Sequence, residues 1–161
     1  MEFTDVGKPW LVVMRSKPTP PCDLILREFQ LTDYHQVFSL WQNAGSGIHL
    51  GRSDEKEEIK KKLLRDPDLF LVAESGGRII GTVIGGYDGR RGMVYHLAVE
   101  DDYRRFGIGI ALMSELESRM MHKGCIRMYL LVTDDNKDAI RFYESQDWEQ
   151  MDLRIYAKDL S

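Results

Sequence analysis

Leu97-Ala98-Val99-Glu100-Asp101-Asp102-Tyr103-Arg104-Arg105-Phe106-Gly107-Ile108-Gly109 is the stretch whose reading decides the fold. It begins as an apolar strand end, crosses an acidic connection and reaches two glycines. Leu112, Leu116 and Met120 then recur at four-residue spacing, and Gly124 stands where a left-handed C-cap belongs, so a helix follows the glycines. Glycine at such a junction lets the backbone approach a ligand with no Cβ in the way. The first N–H groups of a helix have no intrahelical partner, and the helix dipole puts partial positive charge there. A pyrophosphate suits this arrangement, and Arg104 and Arg105 add formal charge beside it. A bare Gly-x-Gly also fits a glycine-rich turn that binds nothing. A dinucleotide fingerprint needs a third glycine where Leu112 stands, and a phosphate-binding P-loop needs Gly-Lys-Ser/Thr, which is absent.

Upstream, Leu69–Ala73, Arg78–Gly86 and Met93–Val99 read as three antiparallel strands in a meander. The first two are joined at Ser75-Gly76-Gly77. Asp88-Gly89 joins the next pair and predicts a type I′ turn, with positive φ at both central residues. Leu24–Phe29 predicts a first strand. Thr32 is the expected N-cap of a helix carrying Val37, Phe38 and Trp41. Ser53 is the expected N-cap of a charged helix with Ile59 and Leu63 on one face. Downstream, Ile126–Val132 is a nearly continuous apolar run, which predicts a central strand. Asn136 opens a helix with Ala139, Ile140 and Tyr143 on one side, and Met151–Ala157 alternates apolar and polar like a strand with one buried face. The order is β-α-α-β-β-β-α-β-α-β, an α/β fold with a mixed, mostly antiparallel sheet and helices on both faces. Residues 1–22 form an N-terminal extension interrupted by Pro18, Pro20 and Pro21. Within it, Trp10–Met14 is either an edge strand or a loosely held tail. Residues 23–161 form one domain.

A chain of 161 residues suits one domain, and its net charge of −4 gives no general attraction to nucleic acid or an anionic membrane. No apolar run approaches the ~20 residues of a membrane span. The N-terminus has no basic segment followed by a signal-length apolar run. Cys22 and Cys125 lie far apart, which fits a reducing cytoplasm better than a disulfide framework. His35, His49, His96 and His122 show no metal-ligand spacing, so no metal is expected.

Leu97-Ala98-Val99 followed by Tyr103-Arg104-x-x-Gly107-x-Gly109 resembles motif A of the GNAT acetyltransferases, whose pattern is Q/R-x-x-G-x-G/A. Asn136-x-x-Ala139-x-x-Phe142-Tyr143-Glu144 resembles their motif B, at the family's spacing. The resemblance spans about Leu24 to Leu160. With Gly86–Gly92 and His96–Val99, it extends to a bacterial YpeA-like subgroup. It implies a GNAT domain over residues 23–161 that uses acetyl-CoA as cosubstrate. Main-chain groups of Leu97, Ala98 and Val99 would bond the pantetheine arm where two strands splay. N–H groups of Arg105, Phe106, Gly107, Ile108, Gly109 and Ile110, beside Arg104, would hold the pyrophosphate. Asn136 would contact the pantetheine, and Tyr143 would lie near the sulfur. The chain departs from the family at Arg105, where glycine is usual, at Phe106, usually polar, and at Asp101, usually proline. It departs again at Asp147, usually glycine before the final aromatic. Asp tolerates the left-handed conformation that position demands.

Acetyl transfer needs a neutral amine, so something must take its proton, and the leaving thiolate needs a donor. A phenol holds its proton at neutral pH, which makes Tyr143 the expected general acid, with a core aromatic as the alternative. His96 is the candidate base, and a satisfied core histidine is equally open. In an unbulged strand only one of Tyr95 and His96 points toward the acceptor. A water relay from Asp134 or Glu74 is a further route. The acceptor contacts are expected around Asn43–His49, with Trp41 read as a core residue. The expected function is N-acetylation of a small-molecule primary amine. Protein N-terminal acetylation and a non-catalytic coenzyme A sensor are the alternatives, and a homodimer is left open.

Overall fold

The computed structural model describes residues 21–160; the Trp10–Met14 segment and most of the expected extension lie outside the described residues. In chain order the elements are β1 (Ile25–Glu28), α1 (Tyr34–Gln42), α2 (Lys56–Arg65), β2 (Phe70–Ser75), β3 (Arg78–Tyr87), β4 (Gly92–Val99), α3 (Ile108–His122), β5 (Met128–Leu130) and α4 (Lys137–Glu144). The strands lie in the order β1-β2-β3-β4-β5. All neighbours are antiparallel except β4 and β5, which run parallel.

Both faces of the sheet are covered. Successive strand side chains point to opposite faces. Leu69, Leu71 and Ala73 meet Leu112, Leu116 and Met120 of α3 on one side. Phe70 and Val72 meet Val37, Trp41 and Ile59 on the other. A strand buried on both faces is an apolar run without alternation, as Leu69–Ala73 is. Each fully buried aliphatic side chain here contributes about 1.5–3 kcal/mol. α3 lies close on β3 because Gly85 has no side chain: a Cβ there would sit 2.5 Å from Leu116 Cδ1.

Several local expectations are corrected. Thr32 lies inside a 3-10 turn (Leu31–Asp33), and Asp33 is the N-cap of α1. The Asp33 carboxylate accepts from the Gln30 N–H at 2.8 Å and pairs with Arg27 at 2.7 Å. Ser53 likewise lies inside a 3-10 turn, and α2 starts after Glu55. There Asp54, not Ser53, satisfies a free backbone donor, the Gly51 N–H at 2.8 Å. The β3–β4 connection is no type I′ turn: Gly89 is left-handed (φ 96°) but Asp88 is not. Asp88 instead accepts from the N–H groups of Arg90 and Arg91, each at 2.7 Å, which stabilises a longer loop. Gly124 is left-handed (φ 86°), as its place after α3 demands.

β5 is the sheet edge rather than a central strand, and it is shorter than its apolar run; Ile126 is 92% exposed. The expected last strand is missing, since residues 149–160 form no ladder. Leu153, Ile155, Tyr156 and Leu160 are exposed. Alternation encodes which face of a strand would be buried but not what buries it, and here the chain turns at Leu153, whose N–H donates to the Met151 carbonyl at 3.1 Å.

Candidate active site

β4 and β5 pair only through Gly92, Met93 and Val94, opposite Met128, Tyr129 and Leu130. Beyond Val94 they part. Ala98 and Val99 remain paired to Thr82 and Gly81 of β3, and among the described residues no strand adjoins their other side. The gap opens just before Leu97–Val99, where β4 carries a β-bulge. Tyr95 faces Ile84 and Ala98 faces Thr82, so His96 and Leu97 share the single partner Val83. A bulge bends its strand and ends regular pairing.

Past the gap the chain makes a 3-10 turn at Asp101–Tyr103 and enters α3 through Gly107, left-handed at φ 78°. No backbone N–H from Arg105 through Ile110 donates to a described residue, and the first acceptor reached is the Gly107 carbonyl, from Ala111. Those of Arg105, Phe106 and Gly107 lie in the loop that opens α3, and those of Ile108, Gly109 and Ile110 in its first turn. Arg104 is partly committed: it pairs with Asp101 at 2.8 Å and donates from Nε to the Val99 carbonyl at 3.2 Å. That carbonyl is one of the groups expected to serve the pantetheine arm. Arg105 is exposed and has no ion-pair partner among the described residues.

Arg105 is itself left-handed, φ 68°. Glycine takes this conformation freely, whereas a side chain in this region costs about 1–3 kcal/mol. Arg105→Gly relieves that strain but loosens the unfolded chain, so a net gain of about 1 kcal/mol is expected. The melting temperature should rise by about 2–4 °C in scanning calorimetry. Asp147 is also left-handed (φ 61°), so the turn before Trp148 survives its departure from glycine.

The bulge changes the reading of Tyr95 and His96. Tyr95 shares the face of its partner Ile84, the α1–α2 side. His96 reaches the same side, where its ring meets the edge of Trp41 at a centroid distance of 5.0 Å. Both therefore point one way, which an unbulged strand forbids. His96 sits at φ 48°, and its Nε2 is 2.7 Å from Asp54 Oδ1. Trp41 is buried at 1% exposure, in keeping with a core role. Glu74 is tied to Arg27 at 2.7 Å near the β2–β3 turn. Sequence reasoning missed Asp54. It lies 42 residues from His96 in a stretch read as a helix start, and no spacing signal links the two.

Asn136 caps α4, its Oδ1 accepting from the Ala139 N–H at 3.2 Å. Its amide lies against Gly47, where a Cβ would come 2.6 Å from Nδ2. The α1–α2 loop thus reaches α4 at Gly47. Tyr143 packs between Phe142 and Trp148, with ring centroids 5.2 and 5.9 Å away, against the α3-side core. Burial pushes its phenol up to about 12. The unfolded phenol ionises near ~10, so the folded state loses stability as pH rises from there toward 12, by about 3 kcal/mol from this group. Burial raises Tyr95 in the same direction. Tyr143→Phe should flatten the fall of melting temperature over that alkaline window.

Among the described residues no group of three or more His, Cys, Asp or Glu is placed to hold a metal, and no helix is long and apolar enough to cross a membrane. The Acetyltransferase (GNAT) family profile matches residues 32–148. An acetyltransferase of Yersinia pestis (strain Pestoides F) is 41% identical over 135 residues, covering 84% of this chain and 94% of that one. An acetyltransferase of Pectobacterium atrosepticum matches to the same extent. Among solved structures, Ard1 from Thermoplasma volcanium is 27% identical with a TM-score of 0.68, over 76% of this chain and 80% of that one. The PaiA N-acetyltransferase from Thermoplasma acidophilum, solved with coenzyme A, shares the fold at 20% identity and a TM-score of 0.72, over 82% and 93%. The open strand pair, the unpartnered N–H groups at the head of α3 and this kinship lead to one conclusion: the chain belongs to the GNAT family and is an acetyl-CoA-dependent acetyltransferase.

Proposed function

We propose that the chain acetylates the primary amine of a small molecule by direct attack in a ternary complex. The observation that carries this is the parting of β4 and β5 shortly before Leu97–Val99, beside N–H groups from Arg105 through Ile110 that have no acceptor among the described residues. A diphosphate needs donors and positive potential, and the head of α3 offers both. An extended amide arm needs strand-like partners, and the unpaired side of Leu97–Val99 offers them. These residues fit acetyl-CoA, which supplies an activated thioester carbonyl when bound. Asn136, through its amide, would meet the arm from the α4 side.

In the transfer, the amine nitrogen bonds to the carbonyl carbon and the carbon–sulfur bond breaks. His96 takes the amine proton, and Tyr143 donates a hydrogen bond to the departing sulfur. A phenol held near 12 gives no full proton to a thiolate whose acid has a pKa of ~8.5, so Tyr143 assists by hydrogen bonding and solvent completes protonation. Tyr143→Phe should therefore lower kcat only about tenfold, less than the ~10²- to 10⁴-fold of a full general acid, with acetyl-CoA affinity unchanged in calorimetry. An unchanged kcat where chemistry limits turnover returns Tyr143 to the core.

A compact acceptor is favoured because the α1–α2 loop closes toward the site. Arg104 reaches the Ala44 carbonyl at 3.5 Å, and Gly47 abuts Asn136. Cys22 and Cys125 are both free thiols, in keeping with the cytoplasm as the proposed location. The test is amine-dependent thiol release from acetyl-CoA across lysine, spermidine, an aminoglycoside and an alanine-initiated peptide. Turnover confined to the peptide would overturn the small-molecule reading.

A further inference from the structure

We propose that Asp54 is a positioning residue for His96. Its carboxylate holds the imidazole with the proton on Nε2, leaving Nδ1 bare to accept the proton of the acceptor amine. This rests on the reading of His96 as the base.

The contact itself sets the tautomer. Nε2 lies 2.7 Å from Asp54 Oδ1. An ionised carboxylate only accepts, so Nε2 must carry the hydrogen. A neutral imidazole then has its lone pair on Nδ1. No described residue hydrogen-bonds Nδ1.

Asp54 is fixed for this task. Its second oxygen accepts from the Gly51 N–H at 2.8 Å, and its main-chain carbonyl accepts from the Tyr34 hydroxyl at 3.1 Å. The residue is 5% exposed. Trp41 meets the imidazole at 60° to its plane and restricts rotation. The histidine, by contrast, keeps 18% of its side chain exposed, so the pair has one shielded and one accessible partner. The backbone at His96 is left-handed and bulged, where a regular strand would send Tyr95 and His96 to opposite faces. Strain retained at a residue whose side chain is oriented by a second group is the pattern of a functional site.

Two measurements test this on the full chain. Nitrogen-15 imidazole spectra of the unliganded protein near neutral pH should show His96 protonated on Nε2 alone. Asp54→Asn should lose that single tautomer. In kinetics with acetyl-CoA and the fastest amine of the panel, Asp54→Asn should lower kcat about thirtyfold, less than the loss of the base itself, with KM for acetyl-CoA within about twofold. Asp54→Glu, which keeps a carboxylate, should recover part of the loss. In a His96→Gln background, Asp54→Asn should cost nothing further.

A wild-type His96 that carries its hydrogen on Nδ1 overturns the proposal even if the Asn variant fails to fold. A full additional loss in the His96→Gln background also overturns it, because Asp54 would then act independently of the imidazole. If His96→Gln alone leaves kcat unchanged, the base reading falls and the proposal with it. If His96→Gln is impaired and Asp54→Asn is not, the base reading stands and the proposal alone falls.

Discussion

Gly109→Asp is expected to weaken acetyl-CoA binding at least about hundredfold while leaving the protein folded, since a carboxylate about 4 Å from a phosphate charge costs about 4 kcal/mol at an effective dielectric near 20. The new charge also opposes the positive potential at the head of α3. Gly109 is not left-handed, so a side chain meets no backbone penalty. A Cβ would come 3.4 Å from Phe142 Cζ and 3.8 Å from Val99 Cγ2, tight but tolerable contacts. Calorimetry with acetyl-CoA gives the affinity, and thermal shifts with NAD and ATP control for unspecific anion binding. Unchanged affinity in a folded variant would place the pyrophosphate elsewhere.

His96→Gln should lower kcat by about 10²- to 10³-fold, because a glutamine amide hydrogen-bonds but takes no proton. The amide can still donate to Asp54, so the buried carboxylate is not left without a partner. Without a base, the amine must reach the site already neutral. The variant's kcat/KM should then climb with pH toward the amine's own pKa of ~10. The wild type should level off earlier. Acetyl-CoA affinity should hold, since no group assigned to that site is touched. Equal kcat in a folded variant would make His96 a core histidine satisfied by Asp54.

The strand-to-helix junction proposed to hold the cofactor was legible because its signals are local. Gly107 and Gly109 mark the strand-to-helix junction, and the spacing of Leu112, Leu116 and Met120 marks the buried face of α3. Asp147 was legible too, since its tolerance of positive φ follows from its short polar side chain. The proposed acceptor side depends on contacts distant in sequence. The bulge at His96 carries no glycine or proline to announce it, and Asp54 comes from a different element.

Leu69–Ala73 and Ile126–Val132 show how one signal can have two outcomes. Both are apolar runs that read as strands, the second as a central one. The first has a neighbouring strand on each side and buried residues on both faces, whereas β5 has a neighbour on one side only, and Leu131 just beyond it is exposed. What separates them is whether a later segment pairs alongside, and the alternation of Met151–Ala157 does not specify that. The β3–β4 loop failed for another reason: the Asp88 side chain bonds the backbone locally and supports a longer loop in place of the two-residue turn.

The central claim, that acetyl-CoA bound in the opening between β4 and β5 acetylates a small primary amine, is tested most directly by one paired measurement. Free thiol and acetylated amine are quantified together, with lysine, spermidine, an aminoglycoside and an alanine-initiated peptide as acceptors, for wild type and Gly109→Asp. The expected result is one acetylated small amine per thiol released by the wild type, with turnover at subsaturating acetyl-CoA lowered about hundredfold in the variant, in line with its lost affinity. Thiol release that ignores the amine, or a Gly109→Asp variant with wild-type turnover at subsaturating acetyl-CoA, would contradict it.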